Sequence, residues 1–182
     1  MKGMRQIVID ESSELFDKTG MFYKKFPSDF RQIRYFTLMV IQKAPPEMKE
    51  INLLEQQISE LIKNAVKHGN RRDPAKSVHV WFAFDEGSAR VIVQDEGEGF
   101  TRLSEWNEFN RKRNECFARQ DFEEMASYVS FVTPDSDEHD SGNALFAAVE
   151  YWDAGLVFNG KKNCVAAAKR FPQKRHGIAL AS

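Results

Sequence analysis

The chain has 182 residues, one domain's worth of sequence and long enough to bury a core without disulfides or metal. With 42% hydrophobic and 29% charged residues it is neither disordered nor fibrous. Its 26 Lys and Arg stand against 27 Asp and Glu, a net charge of −1, so no basic field offers a surface to nucleic acid or an anionic membrane.

In chain order, residues 5–10 (RQIVID) read as a short strand, and 12–25 read as a turn around Thr19-Gly20 leading into a second short strand, MFYKKF. Ser28 can cap a helix in which Phe30, Ile33, Phe36 and Val40 recur at helical spacing, with Pro45-Pro46 beyond it. Residues 47–68 form a longer helix whose apolar stripe is Ile51, Leu54, Ile58, Leu61 and Ala65, and Gly69 can cap its C-terminus. The period then changes to two. Val78, Val80, Phe82 and Phe84 alternate with His79, Trp81 and Ala83, and the turn DEGS leads into ARVIVQD, which predicts an antiparallel hairpin. Helical spacing of Leu103, Trp106, Phe109 and Phe117 predicts a highly charged helix, and residues 122–132 predict another. An acidic loop (PDSDEHDS), a helix over 143–153, a last hairpin turning at Gly160-Lys161-Lys162 and a basic, mobile tail over 172–182 complete the chain. Hairpin-paired strands with helices between them predict an α+β two-layer sandwich, a mixed and mostly antiparallel sheet with helices on one face.

The longest apolar run, residues 35–41, is too short to cross a bilayer. The N-terminus turns acidic where a signal peptide needs an apolar stretch, so a soluble, cytoplasmic protein is expected, with no nucleic-acid or membrane partner. Cys116 and Cys164 are the two cysteines and have no close Cys or His neighbours in sequence, which argues against a zinc cluster or a disulfide framework. The fifteen Phe residues are expected to divide between core and interface.

Three short constellations carry chemistry. Glu60, Asn64 and His68 are spaced i, i+4, i+8, so each step turns only about 40° and all three share one helix face. Alone, that pattern is an ordinary solvated face, but Asn inside a helix is a mediocre helix former and its presence there asks for a reason. Asp95-Glu96-Gly97-Glu98-Gly99-Phe100 comes directly after a strand; its glycines permit a close backbone approach and its Asp can accept a hydrogen bond from an amine. Alone, it is an acidic turn, and it lacks the spacing of a calcium loop. Asp140-Ser141-Gly142-Asn143-Ala144-Leu145 opens a helix, where backbone N–H groups can seat a phosphate or simply be capped.

In this order the three resemble the motifs of the GHKL (Bergerat-fold) ATPases, and among them most closely those of bacterial anti-sigma factor serine kinases and other histidine-kinase-like ATPases. Residues 60–69 match the family's N-box, 95–100 its first glycine box and 141–153 its second with the adjoining helix. The resemblance spans about residues 28–171. Two departures stand out: Ala144 replaces the second Gly of G-x-G-L, and the segment between the glycine boxes, the family's ATP lid at about 101–140, is long and rich in charge and aromatics. Such a lid is either a partner-docking element or an amphipathic helix packed on its own domain.

The resemblance implies a single ATPase domain over 1–182 that uses ATP and Mg²⁺. Asp95 would accept the adenine amine, Gly97 and Gly99 would let the loop pass beside the base, and the Asn64 oxygen would ligate Mg²⁺. Gly142 and its helix would face the phosphates, and Glu60 would be the general base. Lys67 and His68 are secondary candidates for a phosphate contact, with a solvated face the preferred expectation for both. Two classes stay open. One is a serine/threonine protein kinase that phosphorylates an anti-sigma-factor antagonist and sequesters a sigma factor. The other is a non-catalytic, nucleotide-dependent interaction module. A homodimer is compatible with either.

Overall fold

The computed structural model describes residues 5–48, 50–134, 136 and 142–172. Six strands form one sheet in the order β1-β5-β6-β4-β3-β2. The strands are β1 (Val8–Ile9), β2 (Phe22–Pro27), β3 (Ser77–Phe84), β4 (Ser88–Gln94), β5 (Gly155–Phe158) and β6 (Cys164–Arg170). All pairings are antiparallel except β1 with β5, so the sheet is mixed, as predicted. The period-two pattern builds the central hairpin. Val80 pairs with Val93 and Phe82 with Val91, and Val78, Val80, Phe82, Ala89, Val91 and Val93 all enter one buried cluster.

Helices α1 (Ile33–Ile41), α2 (Ile51–Asn64) and α5 (Ala144–Tyr151) bury their apolar residues in that same cluster. From α2, Leu54, Ile58 and Ile62 are completely covered, and the stripe expected from spacing is the stripe buried. α2 packs against α1, against β4 and against α5, which puts it between the strand that leads into Asp95 and the helix that begins after Gly142.

The opposite face of the sheet has its own small cluster. Ile92, Cys164 and Ala166 are covered by Leu15, Phe16 and Met21 from the N-terminal segment. Two Asx or Ser turns hold that segment, at Asp10 with Ser12 and at Ser13 with Leu15. Burial of Cys164 pushes its thiol up to about 12, which leaves it unreactive.

Several local expectations are corrected. The first strand shrinks from six residues to two, because Arg5 and Ile7 spend their backbone groups on side chains of the lid helix. The Asn107 amide donates to the Ile7 carbonyl (2.9 Å) and accepts from the Ile7 N–H (3.1 Å), while Asn110 donates to the Arg5 carbonyl (2.9 Å). Asp29, not Ser28, caps the first helical turn by accepting from the Arg31 N–H; the Ser28 hydroxyl is buried without a partner among the described residues. α2 begins at Ile51, four residues later than predicted.

The lid contains α3 (Leu103–Arg119) and the one-turn helix α4 (Phe122–Met125), then a 3₁₀ turn (Ala126–Tyr128) and an extended stretch. The second predicted lid helix is therefore far shorter than residues 122–132. Asp121 caps α4 through the Glu124 N–H, and Gln120 before it adopts the left-handed conformation. The basic tail after residue 172 and most of the acidic loop, including Asp140 and Ser141, lie outside the described residues.

Candidate functional site

The N-box helix does not end as a helix with a Gly cap ends. After Asn64 it continues as a π-turn, Ala65–Gly69, in which the Asn70 N–H donates to the Ala65 carbonyl five residues back (2.8 Å). Gly69 is not among the residues with positive φ, so it is no left-handed cap. Its lack of a side chain answers a different need. A Cβ at Gly69 would stand 2.3 Å from the Asp95 carboxyl carbon. The strand-end carboxylate is thus packed directly onto the end of the N-box helix.

Gly97 completes the contact from the other side. A Cβ there would lie 1.9 Å from the Gly69 carbonyl oxygen. Gly99, at φ 93°, comes equally close to the Lys161 carbonyl. Both glycines of the first box are therefore demanded by the protein's own backbone: the loop is wedged between the end of α2 and the β5–β6 turn.

Asp95 is held by its main chain as well. Its N–H donates to the Asn163 carbonyl (2.9 Å), its own carbonyl accepts from the Asn163 side-chain amide (3.0 Å), and its Oδ1 accepts from the Gly97 N–H (2.8 Å). Burial outweighs that last bond and pushes the carboxyl up to about 6. At neutral pH it is a partly desolvated anion with one oxygen engaged, an acceptor suited to a neutral N–H donor.

On α2, Glu60 and Asn64 are half-buried one turn apart, as their spacing requires. Glu60 pairs with Lys63 (3.4 Å) and borders a groove of about 470 Å³ between α1 and α2, together with Arg34, Thr37, Gln56 and Ser59. Asn64 makes no side-chain cap bond at the helix end and carries no hydrogen bond from its amide to any described residue. A half-buried amide left open in this way fits one oxygen ligand of Mg²⁺, a cation that takes few protein ligands and keeps waters and phosphates for the rest. Among the described residues no group of three or more His, Cys, Asp or Glu forms a metal cage. The expectation for Lys67 is corrected: the π-turn buries it to 8% exposure, while His68 is exposed.

In the second glycine box, Gly142 has φ 68° and its carbonyl accepts from the Phe131 N–H (3.2 Å); a Cβ would meet the Phe131 backbone at 2.8 Å. α5 begins two residues later at Ala144, which is half-buried. The Phe131 ring packs on Phe109 (5.4 Å), Phe109 on Phe146 (6.0 Å) and Trp106 on Phe146 (5.2 Å), so aromatics join the lid to the first turn of α5. The Arg113 guanidinium lies over the Phe146 ring at 4.3 Å.

The lid's aromatics, which a partner-docking element would expose, divide. Trp106 is fully buried and Phe109 half-buried, whereas Phe117 and Phe122 are 67% and 61% exposed. Sequence reasoning missed Asn70 and Asn163, the two amides that fix the first glycine loop. Each sits among turn residues, where an Asn needs no special explanation.

Comparison with known proteins decides the family. The histidine kinase-like ATPase domain family matches residues 25–169. The chain belongs to that family. Its similar curated relatives include the anti-sigma F factors of Shouchella clausii (31% identical), Bacillus cytotoxicus (29%) and a Geobacillus species (28%), each over 65 residues, 36% of this chain. The match spans 44% of the length of each of these relatives. No helix among the described residues is long and apolar enough to cross a membrane.

Proposed function

We propose that this chain is one ATP-binding domain, closed by the lid at about 101–140, that acts as a protein serine/threonine kinase of the anti-sigma factor type. The observation that carries the reading is the carboxylate of Asp95, partly desolvated at a strand end and seated on the end of the helix that presents Glu60 and Asn64. Asp95 accepts the adenine amine; Asn64 supplies one oxygen to Mg²⁺; Gly142 and the N-terminus of α5 face the phosphates. When bound, Mg²⁺ neutralises charge on the phosphate oxygens.

Glu60 acts as the base. It borders the α1–α2 groove, from which an acceptor hydroxyl can approach. The hydroxyl oxygen bonds to the γ-phosphorus, the bond from that phosphorus to the β–γ bridging oxygen breaks, ADP leaves, and the hydroxyl proton passes to Glu60. The acceptor is a serine of an antagonist protein and a sigma factor is the partner sequestered, as the resemblance to anti-sigma factor kinases implies and as the name of the relatives, anti-sigma F factor, supports for the sigma factor. The exposed Phe117 and Phe122 of the lid offer anchors for such a protein.

A second reading has its own observation. Ala144 stands where the family's second glycine lies, and the Phe131 backbone is already seated against Gly142. This favours a module that binds nucleotide and partner without turnover. The test is Glu60→Gln with a cognate antagonist and ATP. Loss of a general base lowers transfer about 10²–10⁴-fold and leaves nucleotide affinity nearly unchanged. A wild type that binds ATP yet transfers nothing establishes the second reading instead, and a fully active Glu60→Gln places the base elsewhere.

A further inference from the structure

Asn70 is completely buried, and its side chain reaches two elements at once. Its Nδ2 donates to the Ser77 carbonyl at the start of β3 (2.9 Å), and its Oδ1 accepts from the Glu96 N–H in the first glycine loop (2.8 Å). Its own N–H closes the π-turn on Ala65. A buried primary amide used at both its oxygen and its nitrogen is matched to its surroundings, and an orphaned partner would carry the full cost of its burial.

The π-turn is what makes this reach available. Each residue added to a helical turn rotates the rest of the chain by about 100°. A regular α-helical end would therefore set residue 70 at a different angle about the helix axis from the one seen here. The π-turn, the side-chain-free Gly69 and the Asn70 amide together bring the loop to the helix, and the residue clamped by Asn70 is the neighbour of Asp95. No other side chain among the described residues hydrogen-bonds the Glu96 N–H.

We infer that Asn70 is a positioning residue of the nucleotide site: it holds the first glycine loop against the N-box helix, so that the Asp95 carboxylate stays at one angle to the face carrying Glu60 and Asn64. The inference rests on the proposed nucleotide reading and adds to it a source of base selectivity. Asp95 recognises an amine only if its free oxygen is fixed; a loop released at Glu96 lets that oxygen turn toward solvent. Asn70 touches no nucleotide itself. Its loss acts through Asp95, on the choice between a purine that carries an amine and one that carries a carbonyl at the same position.

The experiment compares ATP with inosine triphosphate, which replaces the amine by a carbonyl, by calorimetric titration of wild type and Asn70→Ala. The wild type is expected to prefer ATP by roughly tenfold or more, the scale of one charge-assisted hydrogen bond. In Asn70→Ala that preference is expected to shrink to about threefold or less, in a protein that still melts cooperatively. An unchanged ATP-to-inosine ratio with a lowered melting temperature would make Asn70 merely structural and overturn the inference. A wild type without preference removes the nucleotide reading and the inference with it, which a lost ratio in the variant alone does not. If Asn70→Ala does not fold, Asn70→Ser is titrated in its place and the Glu96 amide of the wild type is monitored by hydrogen exchange. Exchange as fast as in the exposed Asp85–Ser88 turn overturns the inference, and protection near that of β4 supports it.

Discussion

The two glycine boxes, one following β4 and one preceding α5, are built on different principles. The first is interlocked. Gly69, Gly97 and Gly99 each have backbone or carboxylate where a Cβ would go, and Asn70 and Asn163 tie the loop to its neighbours by side-chain amides. Among the described residues, the Gly142 carbonyl of the second accepts from the Phe131 N–H, and a chain of aromatic contacts through the lid reaches the first turn of α5. The end proposed to read the base is thus fixed by close polar contacts. The end proposed to face the phosphates is tied to the lid in large part by ring packing, which carries no strict donor–acceptor geometry. The base side is expected to be the more rigid of the two, the division suited to a site that must admit, enclose and release a nucleotide.

The contrast can be broken hardest at Gly97. Gly97→Ala forces a methyl group onto the Gly69 carbonyl, and relief requires moving the loop or the helix end. The expected cost is about 3–5 kcal/mol of stability, with nucleotide binding lost in whatever fraction stays folded, read by denaturant unfolding and thermal shift. Gly142→Ala is expected to cost less, about 1–3 kcal/mol, because its φ of 68° is strained for Ala but the Phe131 segment can shift. A Gly142→Ala change as costly as Gly97→Ala, by the same melts, would mean that the two ends are equally rigid. The smallest effect belongs to the lid's outer half. Phe117→Ser with Phe122→Ser is expected to alter stability by no more than about 0.5 kcal/mol, since both rings are exposed, while weakening capture of a protein partner in a pull-down with the cognate antagonist or sigma factor.

Periodicity made most of the fold legible. The stripe on α2 and the alternation in β3 and β4 are long enough to fix which faces are buried. The positions of Glu60, Asn64, Asp95 and Gly142 were legible as motifs, and the fold places the carriers of all four around α2. What could not be read were the reasons for the glycines. A sequence says that Gly97 permits close approach, but not that the approaching atom is the Gly69 carbonyl, because that contact joins segments 28 residues apart by way of a π-turn no local pattern announces. Asn70 and Asn163 escaped for the same reason: an amide beside a turn looks alike whether it faces water or clamps a distant loop. The shortened first strand escaped because its hydrogen bonds go to Asn107 and Asn110, a hundred residues later in the chain.

The central claim, that Asp95 is the acceptor for an adenine amine, is tested most directly by ATP affinity in wild type and Asp95→Asn between pH 5 and 8. The Asn keeps an oxygen for the Gly97 N–H but loses the charge. At pH 8 the wild type is expected to bind at least about tenfold more tightly. As pH falls through about 6 the carboxyl takes up its proton, so the wild-type advantage is expected to decline toward pH 5 while the variant stays flat over the range where only this group differs. Equal affinities for ATP at pH 8 would contradict the assignment.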